Sequence, residues 1–214
     1  MKKILLSLIF MMILLLCITS CGGEDSTGTD SSTDSENQGT VDNNEKSIYE
    51  TLNELCEKEY SKITLDISTV SKGIELKSNY VLSKSNVTYS VEKLNQFPTD
   101  GNFENIPSDF KSKLEGVATI ENGKVTALNG DAVTIPEYDE LSGNFKFDKN
   151  YFTDVKEEEG KFTATVSSPS DFLNRNESLS DMKITIQYNQ NGFESIVITY
   201  ETSNSSVNIS YVFK

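Results

Sequence analysis

The chain has 214 residues, of which 36% are hydrophobic and 24% are charged, a length and composition that fit one or two globular domains. Its 33 acidic and 19 basic side chains give a formal charge of −14, which disfavours electrostatic binding to nucleic acid or to anionic lipid headgroups. Because the chain has no histidine, histidine-dependent nucleophilic triads and most zinc sites are excluded.

The N-terminus combines a basic start with an apolar segment. Lys2 and Lys3 precede a run from Ile4 to Cys17 that only Ser7 interrupts. This order is typical of a secretory signal. A retained transmembrane helix is the alternative, but the run is shorter than the roughly 20 apolar residues that a membrane-spanning helix needs. We therefore predict that residues 1–20 are a signal peptide.

The next residues, Ile18-Thr19-Ser20-Cys21, resemble the bacterial lipobox, in which an aliphatic residue and two small residues precede a cysteine. In bacterial lipoproteins the cysteine is diacylglycerylated and the chain is cut just before it. The resemblance implies that Cys21 is the lipid attachment site and that the protein is exported and anchored to the outer face of the cell membrane. Two acyl chains would make that anchor stable. Cys17 would be removed with the signal, so the two cysteines would not form a metal site or a disulfide.

Residues 21–46 are predicted to be a disordered, acidic, lipid-anchored linker. They are rich in Gly, Ser, Thr, Asp and Asn, and Val41 is their one aliphatic side chain. Such a segment buries too little apolar surface to offset the entropy of ordering. A flexible chain of this length reaches about 25–30 Å, enough to lift a domain off the membrane. Residues 1–20 hold two lysines and no acid, so the mature charge would be −16.

The remainder, 47–214, is predicted to be a single β-rich domain that starts with one helix. Ser47 and Glu50 form a capping box, and apolar residues then recur at helical spacing through Leu52 and Leu55, which predicts a helix over 48–61. Cys56 falls on this helix. As the lone cysteine of the mature domain, without a histidine partner, it is predicted to be a small buried apolar side chain.

After residue 61 the apolar residues recur at every second position and no longer at helical spacing, which predicts half-buried antiparallel strands. The Asn-Gly pairs at 122–123 and 191–192 are strong hairpin signals. About eleven strands are predicted, around residues 63–67, 74–82, 87–91, 117–120, 125–128, 145–147, 152–155, 162–166, 182–188, 196–200 and 207–213.

Two proline-bearing loops, 97–115 and 167–180, interrupt the strands, and each is predicted to hold a short helix, near 109–113 and 170–173. The predicted fold is therefore mainly β (α+β). It is a large curved antiparallel sheet or half-barrel with one apolar face, an N-terminal helix and short lid helices.

The order of helix, long antiparallel meander and helical insertions over 47–214 resembles the LolA/LppX superfamily of lipoprotein carriers and lipid-binding lipoproteins. In that family a half-barrel wraps a helix and leaves an apolar cavity for acyl chains. The resemblance implies an apolar cavity in the concave face. Its predicted lining is apolar or aromatic and comprises Leu52, Ile63, Leu65, Ile67, Leu76, Tyr80, Tyr89, Phe145, Phe147, Phe162, Ile184, Ile198 and Tyr211.

No stretch of the sequence carries a catalytic or cofactor-binding signature. There is no G-x-S-x-G, P-loop or G-x-G-x-x-G motif. Residues 148–154 contain some calcium-ligand types but lack the glycine and the final glutamate of a calcium loop, so we interpret them as a solvated turn. We predict no enzyme activity, no cofactor and no metal; a hydrolase built on two carboxylates stays as an outside alternative.

The sequence thus favours a membrane-anchored lipoprotein that binds a lipid or another apolar ligand in the concave face. The alternative is a non-enzymatic cell-surface interaction or assembly protein with a filled core. The partners expected are the membrane, through the N-terminal diacylglycerol, and either an apolar ligand or a protein; no nucleic acid is expected.

Overall fold

The computed structural model describes residues 46–96, 108–127 and 135–214, and residues Ile48 to Lys214 form one compact unit. The predicted signal peptide, the lipobox cysteine Cys21 and nearly all of the predicted linker therefore lie outside the described residues. So do Leu128 and much of the predicted loop 97–115.

The domain is mainly β, with ten antiparallel strands in one open sheet within the described ranges. The strands are β1 (Ile63–Ser71), β2 (Ile74–Leu82), β3 (Asn86–Leu94), β4 (Lys111–Glu121), β5 (Lys124–Ala127), β6 (Phe152–Glu158), β7 (Lys161–Val166), β8 (Ser180–Asn189), β9 (Gly192–Glu201) and β10 (Ser206–Phe213). The α-helices are α1 (Ile48–Cys56), α2 (Tyr138–Ser142) and α3 (Pro169–Phe172), and short 3₁₀ turns span Ser108–Phe110 and Lys149–Tyr151.

The sheet consists of two meanders joined at their first and last strands. The strand order is β5-β4-β3-β2-β1-β10-β9-β8-β7-β6, so β1 and β10 pair at the centre. Leu65 of β1 lies opposite Tyr80 of β2 and Tyr211 of β10. Because side chains alternate along a strand, this register places all three on one face of the sheet.

That face, here called the inner face, carries the core of the domain. The alternating apolar residues of β1, β2 and β7–β10 are buried on it, and Leu52 and Leu55 of α1 complete the same cluster. The opposite, outer face carries mainly Thr, Ser, Asn and charged side chains that are exposed or half-buried. The predicted division into one apolar and one polar face is therefore what the strands show.

The prediction of eleven strands is wrong by one within the described ranges, because residues 145–147 do not form a strand. Phe145 and Phe147 both contact the core, which produces the alternating pattern. The Asn53 side chain hydrogen-bonds both backbone groups of Phe147, donating from Nδ2 to the carbonyl oxygen (2.8 Å) and accepting at Oδ1 from the amide (2.9 Å). The Asn53 side chain on α1 thus makes the backbone hydrogen bonds that a neighbouring strand would make in a sheet.

Two helix predictions also need correction. The predicted helix over 48–61 ends at Cys56, and the Tyr60 hydroxyl donates to the Leu55 carbonyl (3.0 Å), one of the last carbonyls of that helix. The predicted helix near 109–113 is only a 3₁₀ turn over Ser108–Phe110, and β4 follows it directly, with Lys111 paired to Leu94. The predicted short helix near 170–173 coincides with α3.

Candidate functional site

The thirteen residues predicted to line a cavity all lie in the described ranges and are mostly core residues. Ten of them are buried: Leu52, Ile63, Leu65, Tyr80, Tyr89, Phe147, Phe162, Ile184, Ile198 and Tyr211. The other three, Ile67, Leu76 and Phe145, are half-buried. Whether a ligand has room among them depends on what already covers the inner face.

Helix α1 covers part of the inner face. Leu52 is fully buried and Leu55 nearly so. Tyr49 stacks on Phe152 at a ring-centroid distance of 5.9 Å and meets the edge of Phe162 at 6.1 Å. Such aromatic pairs stabilise by about 0.5–1.5 kcal/mol beyond the burial of their area. The helix is therefore packed against β6 and β7.

A second cover is the segment of residues 137–151, which we call the strap. It contains α2, whose Leu141 is fully buried, and the irregular stretch with Phe145 and Phe147. Gly143, with φ of +67°, ends α2 in the left-handed conformation that glycine adopts readily. The Cys56 thiol donates to the Phe145 carbonyl at 3.2 Å, beside the paired Asn53 contacts to Phe147.

Strap, sheet and α3 meet in a cluster of aromatic rings. Phe145 stacks on Phe172 at 5.5 Å and meets Tyr211 edge-on at the same distance. Phe147 stacks on Phe152 at 6.1 Å. These rings contact one another directly, so in this part of the inner face the protein's own side chains occupy the space that the predicted cavity would need.

A polar cluster holds α2 against β9 and β10. Arg175, the chain's one arginine, donates from Nη2 to Glu140 Oε1 (2.7 Å) and from Nη1 to Glu177 (3.4 Å) and to the Tyr200 hydroxyl (3.3 Å). The Tyr211 hydroxyl donates to the Glu140 carbonyl at 2.8 Å. These contacts attach the strap, through Glu140, to the sheet and to the segment that follows α3.

Burial governs the pKa values in this region. Burial would lower the pKa of Arg175, but Tyr200, Glu140 and Glu177 outweigh it and hold that pKa above its usual value. Burial raises the pKa of Tyr80 to about 12 and that of Tyr211 well above its usual range. These groups keep one protonation state near neutral pH, so they are unsuited to acid–base catalysis there.

Cys56 is half-buried, and burial raises its pKa to about 11 in spite of the hydrogen bond to Phe145. A thiol with so high a pKa is almost fully protonated at neutral pH and is a poor nucleophile. Within the described ranges, no cluster of three or more metal-ligating side chains is found.

The outer face has an open groove of about 500 Å³ that crosses the centre of the sheet. It runs over five adjacent strands, β10, β1, β2, β3 and β4. The outward side chains that line it are all polar or charged: Asp66, Ser68, Lys77, Asn79, Ser90, Glu92, Lys113, Asn208 and Ser210. Several of these already have partners. The Asn79 amide donates to Asp66 Oδ1 at 2.7 Å, the Ser68 hydroxyl donates to Glu75 at 2.7 Å, and Lys77 and Lys113 form ion pairs with Glu75 and Glu115.

Beside the groove, a shallower depression of about 430 Å³ surrounds Gly116 of β4. On the inner face Tyr89 lies across this glycine, and a Cβ at position 116 would overlap the Tyr89 hydroxyl and ring. A side chain at this point of β4 would therefore force the Tyr89 ring to move.

Sequence reasoning missed the strap, the groove and the contacts of Asn53 and Arg175. Arg175 stood out only as the chain's single arginine. Nothing in the sequence indicates that Asn53 bonds a backbone segment 94 residues away.

No helix in the described part of the chain combines the length and the apolar character needed to cross a membrane. No protein-family model matches the sequence. A comparison with curated proteins finds no match either.

Proposed function

We propose that the protein is an exported lipoprotein, anchored to the membrane through acylated Cys21, whose domain acts by binding a macromolecular partner at its surface. The proposal assigns it no bond-making chemistry. The lipobox-like residues 18–21 support the anchor, and the acidic segment 21–46 supports a spacer between anchor and domain.

The observation that carries the binding role is the occupation of the inner face by the protein itself. Ten of the thirteen expected cavity residues are buried, and α1, the strap and α3 contact them. The groove on the outer face is polar and open to solvent. A domain with this arrangement is better suited to surface recognition than to enclosing an apolar molecule.

The anchor is tested by growing the bacterium with an alkyne-labelled fatty acid and detecting the label on the purified protein. The wild-type chain and Cys17→Ala should carry the label, because Cys17 lies in the predicted signal. Cys21→Ala should lose it. A label retained by Cys21→Ala would contradict the assignment of the acylated residue.

The binding role is tested by photo-crosslinking in cells. A photoreactive residue is placed at Ser90 or Asn208 in the outer groove and, as a matched control, at Thr185, which lies on β8 outside the groove. The proposal expects one discrete adduct from the groove positions that is absent from Thr185. Adducts at none of the positions, or the same diffuse adducts at all of them, would count against it.

A lipid or other apolar ligand is the second candidate, favoured by one specific feature. At one end of the inner face Ile67, Leu76, Val91 and Leu114 are only half-buried. If an acyl chain lies there, organic extraction of the purified protein should release it and Ile67→Trp should abolish its recovery. Val70→Trp, at an outward position of the same strand, is the control that should leave it unchanged.

A further inference from the structure

The pairing between β2 and β3 stops partway along both strands. Its register ends where Ser78 lies opposite Val91. Within the described ranges, residues 74–77 of β2 then pair in the sheet only with β1, and residues 92–94 of β3 pair only with β4. By contrast, β1 and β10 are paired over eight consecutive residues of each strand. The sheet therefore has a fork between residues 74–77 and residues 92–94.

Side chains satisfy backbone groups of β2 at this fork. If the register continued, Lys77 would lie opposite Glu92 and its N–H would donate to the Glu92 backbone carbonyl. That N–H donates to the Glu92 carboxylate instead, at 3.0 Å. The ammonium group of Lys111 on β4 donates to the Glu75 carbonyl at 2.7 Å. These partners come from β3 and β4 themselves, so the bonds that close the fork are made by described residues.

The fork is held less firmly than the paired end of the same two strands. At the paired end Tyr80 lies opposite Tyr89 and both are buried, whereas Leu76 and Val91 at the fork are half-buried. The two side-chain bonds that close the fork lie at the exposed surface, where water competes for the same groups. Each bond also requires a long side chain to be ordered, which costs entropy.

We propose that the fork opens and closes. The ends of β3 and β4 swing away from β2 about Ser78 and Val91, the last paired residues, and the side chains of Glu92 and Lys111 hold the closed state. The ends of β3 and β4 move together, because these two strands are paired in an unbroken register. Both side chains can release β2 by a change of rotamer, without the loss of a backbone pair.

This motion changes the groove on the outer face, which lies across the fork. Ser68 and Lys77 line the groove on one side of the fork, and Glu92 and Lys113 line it on the other. Opening widens the groove and frees the Lys77 N–H for a carbonyl or carboxylate oxygen of a partner. The fork goes beyond the proposed binding role, because it gives the groove one movable side whether or not a partner binds there.

Distances between two spin labels, measured by double electron–electron resonance, test the opening. The protein is the mature chain, residues 21–214, with Cys21→Ser and Cys56→Ala so that only introduced cysteines are labelled. Asn208→Cys and Lys113→Cys place the labels on either side of the fork, on exposed positions of β10 and β4.

Removing both side chains that hold the fork should shift it towards the open state. In Glu92→Ala/Lys111→Ala we expect a second label-to-label distance, longer by about 5 Å, which is the spacing of one strand. Its population should rise about tenfold or more, because two hydrogen bonds are lost. Glu92→Gln keeps an oxygen that can accept the Lys77 N–H, so the fork should stay closed in that variant.

A matched label pair spans the same five strands at the paired end. Val212 and Val117 are exposed, and the register joins them through Thr64, Val81 and Thr88. Labels at Val212→Cys and Val117→Cys should report one distance in every variant. A fork distance that the double variant leaves unchanged, or equal broadening at both label pairs, would overturn the proposal. Because no partner is needed, either result is independent of crosslinking at the groove.

Discussion

Arg175 donates a 2.7 Å hydrogen bond to Glu140, and this contact joins the segment after α3 to helix α2 of the strap. Both side chains are largely shielded, with exposed fractions of 23% and 35%. Charged hydrogen bonds in such places are stronger than those at the open surface. The contact explains why the short helix α2, which has five residues, is held on the inner face.

Replacing Arg175 by Gln is expected to lower the free energy of unfolding by about 1–3 kcal/mol, since it leaves Glu140 and Glu177 without their cation in a partly buried site. Denaturant unfolding followed by circular dichroism measures the loss. Lys77→Gln is the control, because its ion pair with Glu75 is exposed and should be dispensable. Equal stability of wild type and Arg175→Gln would show that the cluster does not hold the strap.

Asn53 offers a second test of the strap. Asn53→Leu removes both hydrogen bonds to the Phe147 backbone and leaves its amide and carbonyl without these partners. We expect a loss of about 1–3 kcal/mol in the free energy of unfolding. Asn79→Ala, which removes an exposed side-chain bond to Asp66, is the control and should change stability little. A loss no larger than that of the control would contradict the account.

Gly116 is expected to reject a side chain because of Tyr89. In Gly116→Ala the new methyl group would overlap the Tyr89 ring, which is expected to cost about 1–3 kcal/mol of stability. The double variant Gly116→Ala/Tyr89→Ala lacks the ring, so the overlap is relieved. Its loss of stability should therefore be smaller than the sum of the losses of the two single variants. Additive losses would argue against the close approach.

Because the pKa of the Cys56 thiol is raised in the folded protein, we expect the free energy of unfolding to fall at alkaline pH. Its pKa is raised from 9.0 to about 11 in the folded state, so between these values the unfolded chain releases a proton that the folded chain retains. The stabilisation is complete below the unfolded pKa and is lost as the pH rises through the folded one, at about 1.4 kcal/mol per pH unit. Unfolding measured from pH 9 to 11 should show stability falling with this slope in the wild type and a shallower fall in Cys56→Ala.

The strands were predictable from sequence because one of their faces is solvated. Alternation of apolar and polar side chains then marks each strand, as in Ile184 and Ile186 of β8 and Ile196 and Ile198 of β9. The same signal failed at Phe145 and Phe147. There a loop places alternate residues in the core, so its pattern of burial is the same as that of a strand. The backbone of Phe147, however, is hydrogen-bonded to the Asn53 side chain and not to a neighbouring strand.

The site was less predictable than the strands, because it depends on contacts between distant parts of the chain. Helix α2 was missed, since five residues give too short a pattern and its stability comes from the burial of Leu141 and the contact with Arg175. The expected lining of a cavity was built from apolar residues. Apolar pattern marks residues that leave water, and it does not distinguish a cavity wall from a packed core.

The central claim is that the inner face holds no apolar ligand. It is tested most directly by native mass spectrometry of the domain, residues 47–214, purified and sprayed without detergent. The account predicts the mass of the polypeptide without an added ligand, because α1, the strap and α3 pack against the core residues of the inner face. A stoichiometric adduct with the mass of a lipid, lost on Ile67→Trp, would contradict the filled interior and establish the apolar-ligand function in its place.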